Sequence, residues 1–303
     1  MKLPKRHIRD DRRLVRPEVT PVDSGGNVAS GESLTAGVDR VVVIGAGHMG
    51  AAIISGLLRK SPDLPLEIVE TAESRARLVR TEFGLEPVVR YRPQPGDAVI
   101  LAIQPQAFEG FAAEQEPGAF EGALVISVMA GVSIAAMAAL LHTDRVVRAI
   151  PNTPSEVAQG MTVLCPGATV PAADVRTAER LLSSIGRALT VRDEALIDDA
   201  TALCGGGPAF VAHIAGAFID FAVTAGFDRA QARSMTTQVL RGTAELLDST
   251  EHSPEELCRQ VMTPGGTTEQ GIFHFQELGL QEVLVGGLTR SADRSRELGG
   301  IGR

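Results

Sequence analysis

Apolar and polar positions follow two regimes along the chain, and the change falls near Ala195. Before it, apolar residues come in short closed runs: Val41-Val42-Val43-Ile44, Leu66 to Val69, Ala98 to Ile103, Ala123 to Val128 and Val146 to Ile150. Runs of this length, rich in β-branched side chains, predict strands buried on both faces, as in a parallel sheet. Stretches at 51–58, 72–83 and 133–141 separate them and read as helices. Met161 to Cys165 and Ala188 to Val191 predict two further strands on the far edge. Strands alternating with helices in this way predict a doubly wound α/β sheet.

After Ala195 the strand signal stops. Residues 208–225 predict a long helix, apolar almost throughout and interrupted only by His213 and Asp220. Further helices are predicted over 229–249, 254–262 and 281–298. A helix that is apolar all round must be covered on every side, and one modest helical layer offers too little cover. The pattern therefore predicts a homodimer that buries this layer against a second copy. Three segments result: a Lys/Arg- then Gly/Ser/Pro-rich leader over 1–37, read as disordered, an α/β domain over 38–195, and an all-helical domain over 196–303.

Composition narrows the partners. The formal charge of −8 removes the broad basic face that nucleic acid requires. Three widely spaced cysteines, Cys165, Cys204 and Cys258, suggest neither a disulfide framework nor a metal site, and a reducing cytoplasm is expected. The leader has no apolar segment after its basic stretch, so it does not read as a secretory signal. No run in the sequence reads as the roughly 20 apolar residues of a membrane span.

Candidate chemistry begins at Gly45-Ala46-Gly47-His48-Met49-Gly50, between the first strand and the first helix. This is the Rossmann dinucleotide fingerprint. Gly45 permits the tight turn, Gly47 lets a pyrophosphate approach, Gly50 lets helix and strand pack closely, and the helix N-terminus favours an anion. Glu70 ends the second strand, where a carboxylate accepts from the ribose 2′-hydroxyl of NADH and repels the 2′-phosphate of NADPH. The expected cofactor is thus NADH or NADPH, with a lean to NADH; Arg75 and Arg77 lie near enough to serve a phosphate. Ile103-Gln104-Pro105, Ala130 and Asn152 fall at the ends of later strands, where an open α/β sheet binds ligands. Thr263-Pro264-Gly265-Gly266-Thr267-Thr268 leaves backbone N–H groups accessible, as a loop holding a small carboxylate must.

Four segments in this order, VVVIGAGHMGAAIISGLL, RAIPNTPSEVAQGMTVL, DDATALCGGGPAF and VMTPGGTTEQGI, resemble the pyrroline-5-carboxylate reductase family. The resemblance implies a Rossmann domain joined to a helical dimerisation domain, sometimes assembled into rings of dimers. The implied activity is NAD(P)H-dependent reduction of a cyclic imine carboxylate, 1-pyrroline-5-carboxylate, to L-proline. It further implies that Thr263 and the backbone of Gly265, Gly266 and Thr267 hold the substrate carboxylate. Thr268 would meet the ring nitrogen, and Glu251 would approach across the dimer. Such chemistry rests on proximity and orientation, because a protonated imine is already electrophilic.

The chain also departs from that family. Gln104 stands in the place of a Lys, and Cys204, Gly206 and Phe210 replace two Ser and a Tyr. A related imine substrate, or a non-catalytic dinucleotide-binding protein, stays open on those residues. A β-hydroxyacid dehydrogenase needs a Lys in its helical domain, and there is none between Leu196 and Arg303.

Overall fold

The structure, a computed structural model, describes residue 34, residues 36–94 and residues 96–300, with side chains through 298. Most of the leader expected to be disordered lies outside the described residues. Its last part does not hang free. Leu34 packs against the core, and the Ala36 carbonyl accepts a bond of 3.1 Å from Thr177 Oγ1.

The first half builds β1 (Arg40–Ile44), α1 (His48–Lys60), β2 (Leu66–Val69), α2 (Glu73–Leu78), β3 (Asp97–Leu101), α3 (Phe108–Ala113), β4 (Leu124–Ser127), α4 (Ile134–Leu141), β5 (Val146–Ile150), β6 (Gly160–Pro166), α5 (Ala172–Leu182) and β7 (Gly186–Thr190). The sheet has seven strands in the order β2-β1-β3-β4-β5-β6-β7. β1 to β5 run parallel, so their carboxyl ends meet at one edge. The predicted doubly wound sheet is present, with one correction: β6 runs antiparallel to β5, and β7 then follows β6 in parallel. The 150–160 connection carries only a short 3₁₀ turn, Thr153–Val157. That is too short to cross the sheet and re-enter in parallel, so the chain reverses.

Both faces of the sheet are covered, and alternate side chains of each strand supply the two cores. Val41, Val43, Ala98, Ile100, Leu124 and Ile126 pack under Ile53, Ile54 and Leu57 of α1 and Leu181 of α5. The residues between them, Val42, Ile44, Val99, Leu101 and Val125, pack under Phe108, Met137 and Leu141 of α3 and α4. A slip of one residue would exchange the two sets, so the continuous apolar runs leave no polar face but still fix the register by shape.

The second half builds α6 (Leu196–Ala200), a wide π turn (Thr201–Gly205), α7 (Gly207–Thr224), α8 (Arg229–Ser249), α9 (Pro254–Val261), α10 (Thr267–Glu277) and α11 (Leu280–Gly300). The boundaries of α8 match the expectation. Helix α10 was not anticipated, because the glycines and polar residues of 263–271 hide its apolar periodicity. The stretch Ala195–Thr224 is long and apolar enough to cross a membrane by length and composition, contrary to the expectation that the chain holds no such run. Its Gly, Ala and Pro residues dilute the signal by eye while the average stays high.

The two halves are tied by charge. Arg148 on β5 donates to Glu194 Oε1 at 3.0 Å and to Asp198 Oδ1 at 3.2 Å. Ser295 of α11 donates to the same Asp198 oxygen at 3.0 Å. Arg148 is buried, so removing both acids would strand a desolvated cation.

Candidate active site

The order β2-β1-β3 reverses direction at β1, and an open α/β sheet has its crevice at that point. The first loop out of the crevice is Gly45–Gly50. Gly45 has φ of +95°, and a Cβ there would sit 2.7 Å from the Ala102 carbonyl oxygen. A Cβ on Gly50 would fall 2.0 Å from the Gly45 carbonyl oxygen. Both positions therefore need glycine, the first for its turn and the second for helix–strand contact. Gly47 is the N-cap of α1 and no side chain caps it, which leaves the first-turn N–H groups to an anion. Ala46 is buried, Gly47 and Met49 half-buried, and His48 exposed.

Glu70 behaves differently from the simplest expectation. It is only 7% exposed. Its Oε2 accepts the Ala46 N–H at 2.9 Å and its Oε1 accepts the Ala72 N–H at 2.8 Å. The carboxylate thus clamps the glycine loop to the end of β2 and keeps one further lone pair on each oxygen.

The remaining nucleotide-side candidates gather at the same edge. Ile103 and Pro105 are half-buried and Gln104 exposed at the end of β3, and Ala130 is exposed beyond β4. Asn152, beyond β5, is buried and fully engaged. Its Oδ1 accepts the Met161 N–H at 2.9 Å and its Nδ2 donates to the Cys204 carbonyl at 3.1 Å. Its side chain braces the loop.

The segment carrying the departures has its own logic. A Cβ on Gly206 would lie 3.2 Å from Phe210 Cε2 and 3.0 Å from the Ala202 carbonyl oxygen. A side chain at 206 would therefore require the Phe210 ring or the Ala202 carbonyl to give way by a few tenths of an ångström. Burial raises the Cys204 thiol above its ordinary range.

The Thr263–Thr268 loop leads into α10. Gly265 takes φ of +74°, and a Cβ on Gly266 would meet Thr263 Oγ1 at 2.3 Å. The Gly265 N–H donates to Glu269 Oε2 at 2.8 Å, and the Gly266 N–H to the Thr263 carbonyl at 2.8 Å. The N–H groups of Thr267 and Thr268, in the first turn of α10, have no acceptor among the described residues. Thr268 borders a cavity of about 310 Å³ lined by Thr243, Leu246, Leu257, Cys258 and Val261. Thr243 and Cys258 carry no sequence signal of their own; their place depends on how α8 packs against α9. Glu251, Thr263, Gly265, Thr267 and Thr268 are exposed. This loop makes no hydrogen bond to the Gly45–Gly50 loop of its own chain among the described residues.

The comparisons agree with both halves. Residues 194–298 match a family model described as pyrroline-5-carboxylate reductase dimerisation. Residues 40–131 match one described as NADP oxidoreductase coenzyme F420-dependent. A pyrroline-5-carboxylate reductase of Pseudomonas aeruginosa is 36% identical over 266 residues, covering 86% of this chain and 96% of that protein. Its counterpart in Methanosarcina acetivorans is 32% identical over 269 residues, covering 86% and 98%. The solved pyrroline-5-carboxylate reductase of Coxiella burnetii superposes with a TM-score of 0.79 at 29% identity, over 86% of this chain and 98% of that one. The chain belongs to the pyrroline-5-carboxylate reductase family.

Proposed function

We propose that this oxidoreductase reduces 1-pyrroline-5-carboxylate to L-proline, with hydride delivered to the imine carbon. The observation that carries the reading is the uncapped start of α1 behind Gly47, at the reversal point of the sheet. A bound nicotinamide dinucleotide supplies the hydride there. NADH is the preferred form in this reading, since the Glu70 carboxylate would repel a 2′-phosphate. Ile103, Gln104, Pro105 and Ala130 flank the nicotinamide end, while Asn152 holds its loop in place.

Thr263 and the open first-turn N–H groups of α10 take the substrate carboxylate, Thr268 meets the ring nitrogen, and Glu251 reaches in from a second chain. A homodimer through α7, α8 and α11 supports this arrangement. Phe221 is 76% exposed and Val283 66% exposed on these helices, a surface that a second copy would cover. Assembly of dimers into a ring belongs to the same proposal. The three free thiols suit a reducing, cytoplasmic setting.

The test is cofactor oxidation with the five-membered imine beside its six-membered homologue, each with NADH and NADPH. Faster turnover of the five-membered ring with NADH is expected. Preference for the larger ring would favour a related imine. A strong NADPH preference would remove the role given to Glu70.

A further inference from the structure

We propose that Arg75 is a phosphate-binding residue of the cofactor site, a role that rests on the dinucleotide reading above. Gly47 has no side chain, and the space in front of it is where the dinucleotide's phosphate groups must come to reach the start of α1. A Cβ placed on Gly47 would lie 3.7 Å from Arg75 Nη1 and 3.9 Å from its Cζ, with no other group of the chain beyond its neighbours within 4 Å. Among the described residues, the group that comes nearest to that opening from elsewhere in the chain is therefore a guanidinium. Arg75 comes from α2, twenty-eight residues further along the chain, so local sequence does not force this approach.

The guanidinium is also uncommitted. The neighbouring acids are taken: Glu73 and Glu86 both pair with Arg80, at 3.1 and 3.0 Å, and Glu70 is bound by two backbone N–H groups. The Arg75 side chain makes no hydrogen bond or ion pair among the described residues, although it is exposed beside them. A planar fork of donors held over a backbone anion seat fits phosphate oxygens in two parallel bonds, which a lysine would not reproduce. The helix start and the guanidinium would then grip the same phosphate from two sides. Phosphate here has two sources: the pyrophosphate common to both dinucleotides, or the 2′-phosphate of NADPH alone. Gly47 lies at the pyrophosphate seat, which favours the first.

The test compares the full-length protein with Arg75→Ala and Arg75→Lys, reading dissociation constants for NADH and NADPH from nicotinamide fluorescence. Arg77→Ala, one exposed cation removed from the same helix, is the control for net charge. Arg75→Ala is expected to weaken both dinucleotides by about tenfold or more, Arg75→Lys to recover only part of this, and Arg77→Ala to change little. Weakening confined to NADPH would still make Arg75 a phosphate ligand but assign it to the 2′-phosphate. Unchanged binding of both, or an equal loss with Arg77→Ala, would overturn the proposal. If the unaltered protein bound neither dinucleotide, the cofactor reading itself would fail, a result separable from any effect of Arg75.

Discussion

Gly50 and Glu70 hold the same loop from opposite sides, one by lacking a side chain and the other by burying a charge. Gly50→Ala pushes a methyl against the Gly45 carbonyl oxygen at 2.0 Å, and both groups are backbone, so neither can step aside cheaply. Overpacking of this kind costs about 1–3 kcal/mol. The variant is expected to melt earlier and to lose dinucleotide binding, read by thermal denaturation and fluorescence titration. At this scale the glycines were legible because their spacing between strand and helix has one physical use. The burial of Glu70 was not, since it depends on the Ala46 N–H, twenty-four residues away. Asn152 was placed at the right edge by its position after β5. Its role as a brace depends on partners in β6 and the Cys204 segment, which no local pattern reveals. The same local environments set thiol chemistry. Burial pushes the Cys165 thiol up to about 11 and also raises Cys204. Both should therefore resist alkylation near neutral pH and react as the pH climbs, which mass spectrometry of iodoacetamide adducts would follow. Rapid labelling of Cys165 at neutral pH would contradict its burial.

Among the elements, helix starts carry the most chemistry. Helix α9 opens on a reciprocal cap in which the Ser253 side chain accepts the Glu256 N–H and Glu256 accepts the Ser253 N–H. That backbone bond holds the Glu256 carboxyl below its ordinary value of 4.5. A depressed folded value favours the folded state above the unfolded value, and this contribution is lost as pH falls through the lower, folded one. Glu256→Gln is therefore expected to be less stable than the parent at neutral pH. The gap should close in acid below about 4.5, as measured by urea denaturation across pH. A constant gap would mean that the carboxylate charge is irrelevant. Elements with strong periodicity were legible: α8 and the five parallel strands follow from apolar spacing alone. Helix α10 is not legible because Gly265 and Gly266 precede it as a turn and Gly271 interrupts its pattern. The reversal of β6 depends on a short connection rather than on composition, so its direction could not be read from the strand itself.

On the scale of the whole molecule, no hydrogen bond joins the clusters around Gly47 and Thr268 within one chain among the described residues, and the helical half exposes apolar side chains such as Phe218, Phe221 and Val285. In the proposed arrangement a second copy would cover the helices and complete the site. Dilution is expected to give loss of folded protein rather than a stable monomer, read by light scattering together with circular dichroism. A well-folded monomer would remove the dimer from this account. Complementation offers a second check: Gly50→Ala and Thr268→Val chains, each impaired alone, should regain activity when refolded together if one site draws on two chains. The need for a partner was legible in the sequence because residues 208–225 are apolar on all sides. The absence of a hydrogen bond between the two clusters among the described residues was not, since it depends on where α9 and α10 pack.

Incubation of the purified protein with 1-pyrroline-5-carboxylate and NADH deuterated at the transferable nicotinamide position tests the central claim most directly. The account predicts proline that carries one deuterium on the carbon that was the imine carbon. Cofactor oxidation without deuterated proline, or no oxidation by a protein that binds the dinucleotide, would contradict it.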